Sequence, residues 1–252
     1  FRFHIFYGWF GGDSWEAHSH EFGELVLVRR GTGFHVCEQG EYPISVGDVF
    51  YVKPNEVHGY RGMSNLAYCD VIFDPAIFLD PHPELQSLPG YQAILHVEPL
   101  MRMDHRFTSK LHLDGPPLNR AFDLIESLST EYEDQYPGCE AAIRSLLVLL
   151  VTHLARQYAQ PKSAQSRTVM GVAKAVSYLE SNYQDDIHLD DVIRAACMSK
   201  SSLMRAFQQC YGTSPLHYLN DFRLKKAAER LNRETLPVTR IALDAGFSDT
   251  NY

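Results

Sequence analysis

The chain has 252 residues, enough for two domains, and its 45% hydrophobic and 21% charged content is that of a water-soluble globular protein, not of a fibrous or disordered one. Its longest apolar run, Leu146 to Val151, is far too short to span a bilayer, and no basic start followed by an apolar stretch opens the chain; no membrane partner and a cytoplasmic setting are therefore expected. The net charge of −8 is unevenly spread: residues 1–165 hold 12 Lys and Arg against 21 Asp and Glu, residues 166–252 hold 11 against 10, and residues 198–233 hold 7 against 2.

In chain order, residues 1–75 alternate short apolar stretches with Gly, Asn and Pro: Glu24 to Val28, Gly33 to Cys37, Tyr42 to Val46, Val49 to Val52 and Leu66 to Phe73. Strands of this length with tight turns and no helix between them predict a small antiparallel barrel or sandwich. Residues 74–113 are Pro-rich and read as loops with one or two short strands. Leu118 to Tyr136 and Cys139 to Tyr158 read as two amphipathic helices broken at Pro137-Gly138. The second is apolar round much of its circumference and needs a cover, from the barrel or from another subunit. Residues 160–167, QPKSAQSR, are polar and read as a linker.

Met170 to Asn182 then predicts a lead helix. Ile187, Leu189, Val192 and Ile193 form the apolar face of the next one, with Ala195-Ala196 permitting close approach. Met198-Ser199 makes the turn, Ser199 being placed to cap a helix from Lys200 to Cys210 that stops at Gly212. That helix buries Leu203, Ala206, Phe207 and Cys210 and turns Lys200, Ser201, Met204, Arg205 and Gln208 outward. A short braced helix with a polar, cationic outer face is what the DNA major groove admits. Pro215 opens a longer helix. Pro237, a helix from Val238 to Asp244, the turn Ala245-Gly246-Phe247 and the cap Ser248 then repeat the unit, which is expected to be cut short four residues into its second recognition helix. The five cysteines (37, 69, 139, 197 and 210) are odd in number and lack a Cys-x-x-Cys pair, so reduced thiols are expected, with Cys197 and Cys210 on buried helix faces.

RAFQQCYGTSPLHYLNDFRLKKAAERL, followed by PVTRIALDAGFSDTNY, resembles the DNA-binding domain of the AraC/XylS family of transcription regulators over roughly residues 170–252. The front half, with EFGELVLVRRGTGFHV and YPISVGDVFYVKPNEVHGY, is similar to the effector domain of the rhamnose-responsive regulators of that family. The resemblance implies an α+β protein. Residues 1–159 would form a cupin-like antiparallel β-barrel with a helix pair for effector binding and dimerisation. Residues 160–167 would be the linker, and residues 168–252 an all-α DNA-binding domain with two helix-turn-helix units, incomplete at its end. Carried over by position, Ser201, Met204 and Arg205 would read base edges, and Arg205 can donate twice to guanine. Lys200 and Ser202 would hold phosphates, which fix register without reading sequence. Thr250 and Asn251 would make further contacts from the second unit.

A second constellation is Gly12-x5-His18-x-His20-x3-Glu24-x6-Gly31, followed by Gly47 and Pro54-Asn-Glu-Val-His58. On one strand His18, His20 and Glu24 would share parity and point to one side. With His58 from a neighbouring hairpin they make a donor set for a divalent transition metal such as Zn, Ni, Mn or Fe. The first spacing resembles the first cupin motif; the second departs, His58 arriving one residue early with no Gly after Pro54. The favoured reading needs no cofactor: His18, His20, Glu24 and His58, with His35 as a further pocket residue, contact the hydroxyls of an effector. Trp9, Trp15, Phe22 or Tyr60 would supply an apolar wall. A purely structural set, satisfied within the barrel, is the third reading.

The expected function is a cytoplasmic, non-enzymatic transcription regulator, acting as an activator, that binds promoter DNA as a homodimer under control of a sugar or other polar metabolite and engages RNA polymerase. A metal-dependent cupin enzyme of dioxygenase or isomerase type with a helical appendage is the first alternative, and it leaves the basic 198–233 region without a purpose. A protein-binding module that never touches DNA is the second.

Overall fold

A computed structural model describes residues 2–10, 14–38, 40–102, 110–160, 163–233 and 235–247. They form two compact units, Phe1–Arg167 and Thr168–Tyr252.

The first unit is built on one antiparallel sheet. Its strands are β1 (Phe3–Phe10), β2 (Ser14–His18), β3 (Gly23–Cys37), β4 (Gly40–Ser45), β5 (Asp48–Val52), β6 (His58–Phe73) and β7 (Leu111–His112). They run in the order β1-β6-β3-β5-β7, with β2 also on β6 and β4 also on β3. The two long strands are the frame. β6 pairs with β2 at its start and β1 at its end, while β3 pairs with β5 first and β4 later. Between Val28 and Phe34 the β3–β6 register slips repeatedly, and each slip bends the ladder. Gly31, at φ +75°, sits where a Cβ would lie 2.1 Å from the Asn65 carbonyl oxygen, so the bend needs glycine there. Bent in this way, the sheet rolls its inner face into a single cluster: Val26, Val28, Tyr42, Ile44, Phe50, Val52, Tyr60, Leu66 and Tyr68. The outward side chains Leu25, Leu27, Val49, Tyr51, Cys69 and Val71 are buried as well. Strands covered on both faces read as unbroken apolar runs, as 25–28 do.

The outer cover differs from the sequence expectation. Residues 74–113 are not loops: they form α1 (Pro75–Phe78), α2 (Pro83–Gln86), α3 (Pro89–Gln92), a π segment (Ala93–Val97), α4 (Glu98–Met101) and β7. Residues 103–109 lie outside the described residues. α5 (Gly115–Asp134) and α6 (Cys139–Tyr158) follow as an antiparallel pair, with Gln135 and Gly138 at positive φ in the turn. α5 packs on β1 and the π segment on β5, while α1, α3, the π segment and α5 all pack on α6. The apolar circumference of α6 is thus largely covered within its own chain, although Leu149 remains 41% exposed. β1 and β2 were not among the strands predicted from the sequence.

The second unit is helical: α7 (Ala164–Ser181), α8 (Leu189–Ala196), α9 (Lys200–Tyr211), α10 (Pro215–Leu231) and α11 (Val238–Asp244). α7 begins four residues inside the segment read as linker, and the boundary between the units falls within it. Val169, Val172, Ala173, Val176 and Leu179 of α7, Val192 of α8, Leu203 and Phe207 of α9, Leu219 of α10 and Ile241 of α11 are its buried core. The caps at Ser199 and Gly212 are those predicted, and Ser214, not singled out in the sequence, caps α10. Ser199 Oγ accepts from the Ser202 amide at 3.2 Å, Ser214 Oγ from the His217 amide at 3.3 Å, and Gly212 ends α9 at φ +67°. Cys210 is buried, but Cys197 is exposed: it is the left-handed cap residue of α8, not part of its inner face. Ser248, expected to cap the next helix, lies outside the described residues. No helix among the described residues is long and apolar enough to cross a membrane.

Candidate functional site

The first candidate site is inside the rolled sheet. His18 is the last residue of β2 and lies directly opposite His58, the first residue of β6, which brings their rings to 4.5 Å. His20 sits in the connection from β2 to β3, and Glu24 is the second residue of β3. The three residues expected on one strand therefore come from a strand end, a loop and a second strand, and they converge by tertiary folding. Nε2 of His20 is 2.8 Å and Nε2 of His58 is 3.2 Å from the same Glu24 oxygen. A nitrogen from each of His18, His20 and His58 lies within 4.8 Å of the other two.

The altered second motif reaches the site because Asn55 adopts φ +65°, the conformation a Gly would take, and closes the turn one residue earlier. The Asn55 amide also donates to the His20 carbonyl at 2.7 Å, tying the two motifs together. Gly12, of the first motif, lies outside the described residues.

Exposure falls steeply across the cluster. His18 is exposed and His20 half-buried, while Glu24 and His58 are 3% and 1% exposed. Burial alone would raise the Glu24 pKa, but hydrogen bonds from His20 and His58 outweigh it and hold the carboxyl at about 2. The same bond to Glu24, against partial burial, raises His20. His35 points inward, fully enclosed between Tyr42, Phe50, Tyr60 and His58, its ring stacked 5.8 Å from that of His58. Burial, then the nearby Arg102 guanidinium, push its pKa well below the usual range, so it is neutral.

The sequence reading missed Asp70, on β6, which is 6% exposed. Burial first, and then the charge of Glu24, raise its pKa far above the usual carboxylate range, so it stays protonated. A lone carboxylate in the apolar run AYCDVIF was the signal that could have found it. Four buried polar atoms of this region have no hydrogen-bond partner among the described residues: both His35 ring nitrogens, Tyr60 Oη and Asp70 Oδ1. Of the expected apolar wall, Tyr60 belongs to the inner cluster and the Trp15 ring lies 6.4 Å from that of His18. Trp9 is 74% exposed, with its indole on Asn65.

The second candidate site is the outer face of α9. Lys200, Ser201, Arg205 and Gln208 are exposed and Met204 is half-buried. Ser202 is half-buried with its hydroxyl on Ser199 Oγ at 2.8 Å, so it serves the cap. Arg205 joins no acid among the described residues. The basic stretch behind it is partly committed: Arg223 donates to the carbonyls of Tyr183 and Asp185, Arg230 pairs with Asp244 and Lys226 with Glu229. Thr250 and Asn251 lie outside the described residues.

The comparisons agree with this division. A family described as "AraC-like ligand binding domain" matches residues 8–151, and one described as "Helix-turn-helix domain" matches residues 192–252. The chain is 29% identical over 236 residues to the HTH-type transcriptional activator RhaS of Escherichia coli O1:K1, covering 93% of this chain and 80% of that protein. Among solved structures, ToxT from Vibrio cholerae O395 aligns with 98% of this chain and 90% of its own at 9% identity and a TM-score of 0.41. A cupin 2 conserved barrel domain protein from Salinispora arenicola CNS-205 aligns with 30% of this chain and 66% of its own, at 22% identity and a TM-score of 0.28.

Proposed function

Since the chain belongs to the AraC family of transcription regulators, being a DNA-binding regulator with a ligand-binding domain, we propose that a small polar effector, a sugar or similar metabolite, binds among His18, His20, Glu24, His35 and His58. The observation that carries this reading is the group of four unpartnered polar atoms inside the rolled sheet. Buried polar groups are nearly always paired, and neutral imidazoles, a phenol and two carboxyl groups offer the mixed donors and acceptors that hydroxyls require. Promoter DNA is bound through α9, with Arg205 and Ser201 at base edges, Met204 against an apolar base edge and Lys200 at phosphate; Thr250 and Asn251 add contacts from the second unit.

The protein acts in the cytoplasm as a homodimer. It is an activator, as its relative RhaS is named, and it engages RNA polymerase. The effector prefers one arrangement of the protomers and so shifts the population toward it; its leverage is no larger than its difference in affinity between the two arrangements.

The test is Arg205→Ala in the full chain, measured by fluorescence anisotropy on a duplex selected by the wild-type protein from random sequence. Loss of a bidentate guanine contact is worth about 1–3 kcal/mol, so affinity falls roughly 5- to 150-fold and preference relaxes at one base pair. Unchanged affinity and preference would show that α9 is not the reading helix.

A further inference from the structure

We propose that the mouth of the rolled sheet is a divalent transition-metal site, with Nε2 of His18, His20 and His58 and the Glu24 carboxylate as ligands, and that the effector is an oxygen-donor chelator closing the coordination sphere. The second half rests on the effector reading above; the first does not.

The ring orientations carry the inference. His18 Nδ1 lies 3.2 Å from the Glu16 carbonyl oxygen, His20 Nδ1 3.0 Å from that of Phe22, and His58 Nδ1 3.0 Å from that of Glu56. A carbonyl oxygen only accepts, so in each ring Nδ1 carries the hydrogen and donates it. Each ring, when neutral, then offers its Nε2 lone pair. A backbone carbonyl behind the ring is the usual means by which a metal-ligating histidine is oriented and its tautomer fixed. Three loops and strand ends supply such a carbonyl here, and a nitrogen from each of the three rings lies within 4.8 Å of the other two.

Beside these rings lies an anion. Two of these Nε2 atoms face one Glu24 oxygen, at 2.8 and 3.2 Å. A ring whose Nδ1 donates to a carbonyl approaches a carboxylate through Nε2 only with a cation between the two, either a second ring proton or a metal ion in its place. His58 Nε2 is buried 3.2 Å from Glu24, so ring and carboxylate are already aimed at each other within the ligand set. Glu24 is 3% exposed, and a second buried carboxyl, Asp70, stands beside it. A divalent ion on the shared side of the three nitrogens and the carboxylate answers all of these features at once. Three imidazoles and one carboxylate are a borderline-soft set, suited to Zn, Ni, Co or Fe(II) rather than to Ca or Mg.

The fourth side is open. His18 is exposed, whereas the buried flank is closed by His35 stacked on His58 and by Tyr60 beside His35. A ligand entering past His18 meets the metal with its oxygens. The chemistry this favours is a five-membered chelate: a vicinal diol, a 2-hydroxy acid or a 2-oxo acid.

The experiment uses the full chain stripped of metal and titrated with Co²⁺, followed by the visible d–d absorption and by calorimetry, with acetohydroxamate added afterwards as a bidentate oxygen probe. One Co²⁺ per chain, displaced by Zn²⁺, and a change of the cobalt spectrum on adding acetohydroxamate are expected. His18→Ala, at an exposed side chain whose removal leaves the core intact, weakens metal at least tenfold, and Glu24→Gln does the same without changing shape. Exposed His188→Ala, in the helical unit, changes nothing. No stoichiometric cobalt in folded wild-type protein, or equal affinity in His18→Ala and Glu24→Gln, overturns the site. A cobalt spectrum indifferent to acetohydroxamate overturns the chelating effector while the metal stands. Small-molecule-dependent DNA binding that persists in excess chelating agent overturns the metal and leaves the effector reading intact.

Discussion

Glu98 on α4 is 1% exposed, and its Oε1 has no hydrogen-bond partner. Burial raises its pKa from 4.5 to about 7, against the pull of the neighbouring Arg102. The folded state therefore holds this proton more tightly than the unfolded chain. Below about pH 4.5 both states are protonated and the group is neutral to stability. Between 4.5 and 7 the unfolded chain ionises first, so stability falls as pH rises, by up to roughly 3 kcal/mol; above 7 the loss is constant. Urea unfolding of Glu98→Gln should lose this slope between pH 5 and 7 relative to wild type, and parallel profiles would show that Glu98 is not the group responsible. The same scale explains which site residues could be seen in advance. His18, His20, Glu24 and His58 stood out because their spacing is unusual, even though the one-strand reason given for it was wrong. His35 was ambiguous because inward residues of β3 are even-numbered at Glu24, Val26 and Val28. The register slips up to Phe34 then reset the parity, leaving Phe34 39% exposed and His35 inside. Strand alternation carries no information across a bulge.

Among elements, the helical stack between Asp74 and Arg102 was illegible because proline has two meanings. Pro75, Pro83 and Pro89 were read as breakers, but each occupies the first turn of a helix, where a missing amide costs nothing. Pro99 is the harder case, since helical backbone precedes it. The π segment Ala93–Val97 lies immediately upstream and widens the turn that a proline ring would otherwise strike. Longer elements with regular apolar spacing, α5, α6 and α8 to α11, lay close to their predicted bounds because 3.6-residue periodicity survives without knowledge of neighbours. The stack is held by a close approach: a Cβ on Gly90 of α3 would sit 1.9 Å from the Ala155 carbonyl oxygen of α6. Gly90→Ala must push α3 away from α6. Overpacking of this kind costs about 1–3 kcal/mol, hence a melting temperature lower by roughly 3–10 °C in a circular-dichroism melt. An unchanged melt would mean that α3 is only loosely applied to α6.

Over the whole molecule, charge decides how DNA is approached. The acidic 1–165 portion repels a duplex at long range, but at physiological salt a charge is felt only within about 8 Å, so what matters is the number of cations able to meet phosphate. Composition alone offers seven between residues 198 and 233. Arg223 is bound to backbone carbonyls, and Arg230 and Lys226 are paired with Asp244 and Glu229. Lys200, Arg205, Lys225 and Arg233 are exposed and join no acid among the described residues. If each meets one phosphate, the logarithm of affinity falls against that of salt with a slope of about −3.6 per chain. Raising salt from 50 to 200 mM then weakens binding roughly a hundredfold, whereas all seven cations would give a slope near −6 and several thousandfold. Anisotropy titrations across that salt range separate the two. A slope near −6 would mean that the intramolecular pairs open on contact with DNA. A slope near zero would mean that the cationic face of α9 and α10 does not meet the phosphates at all.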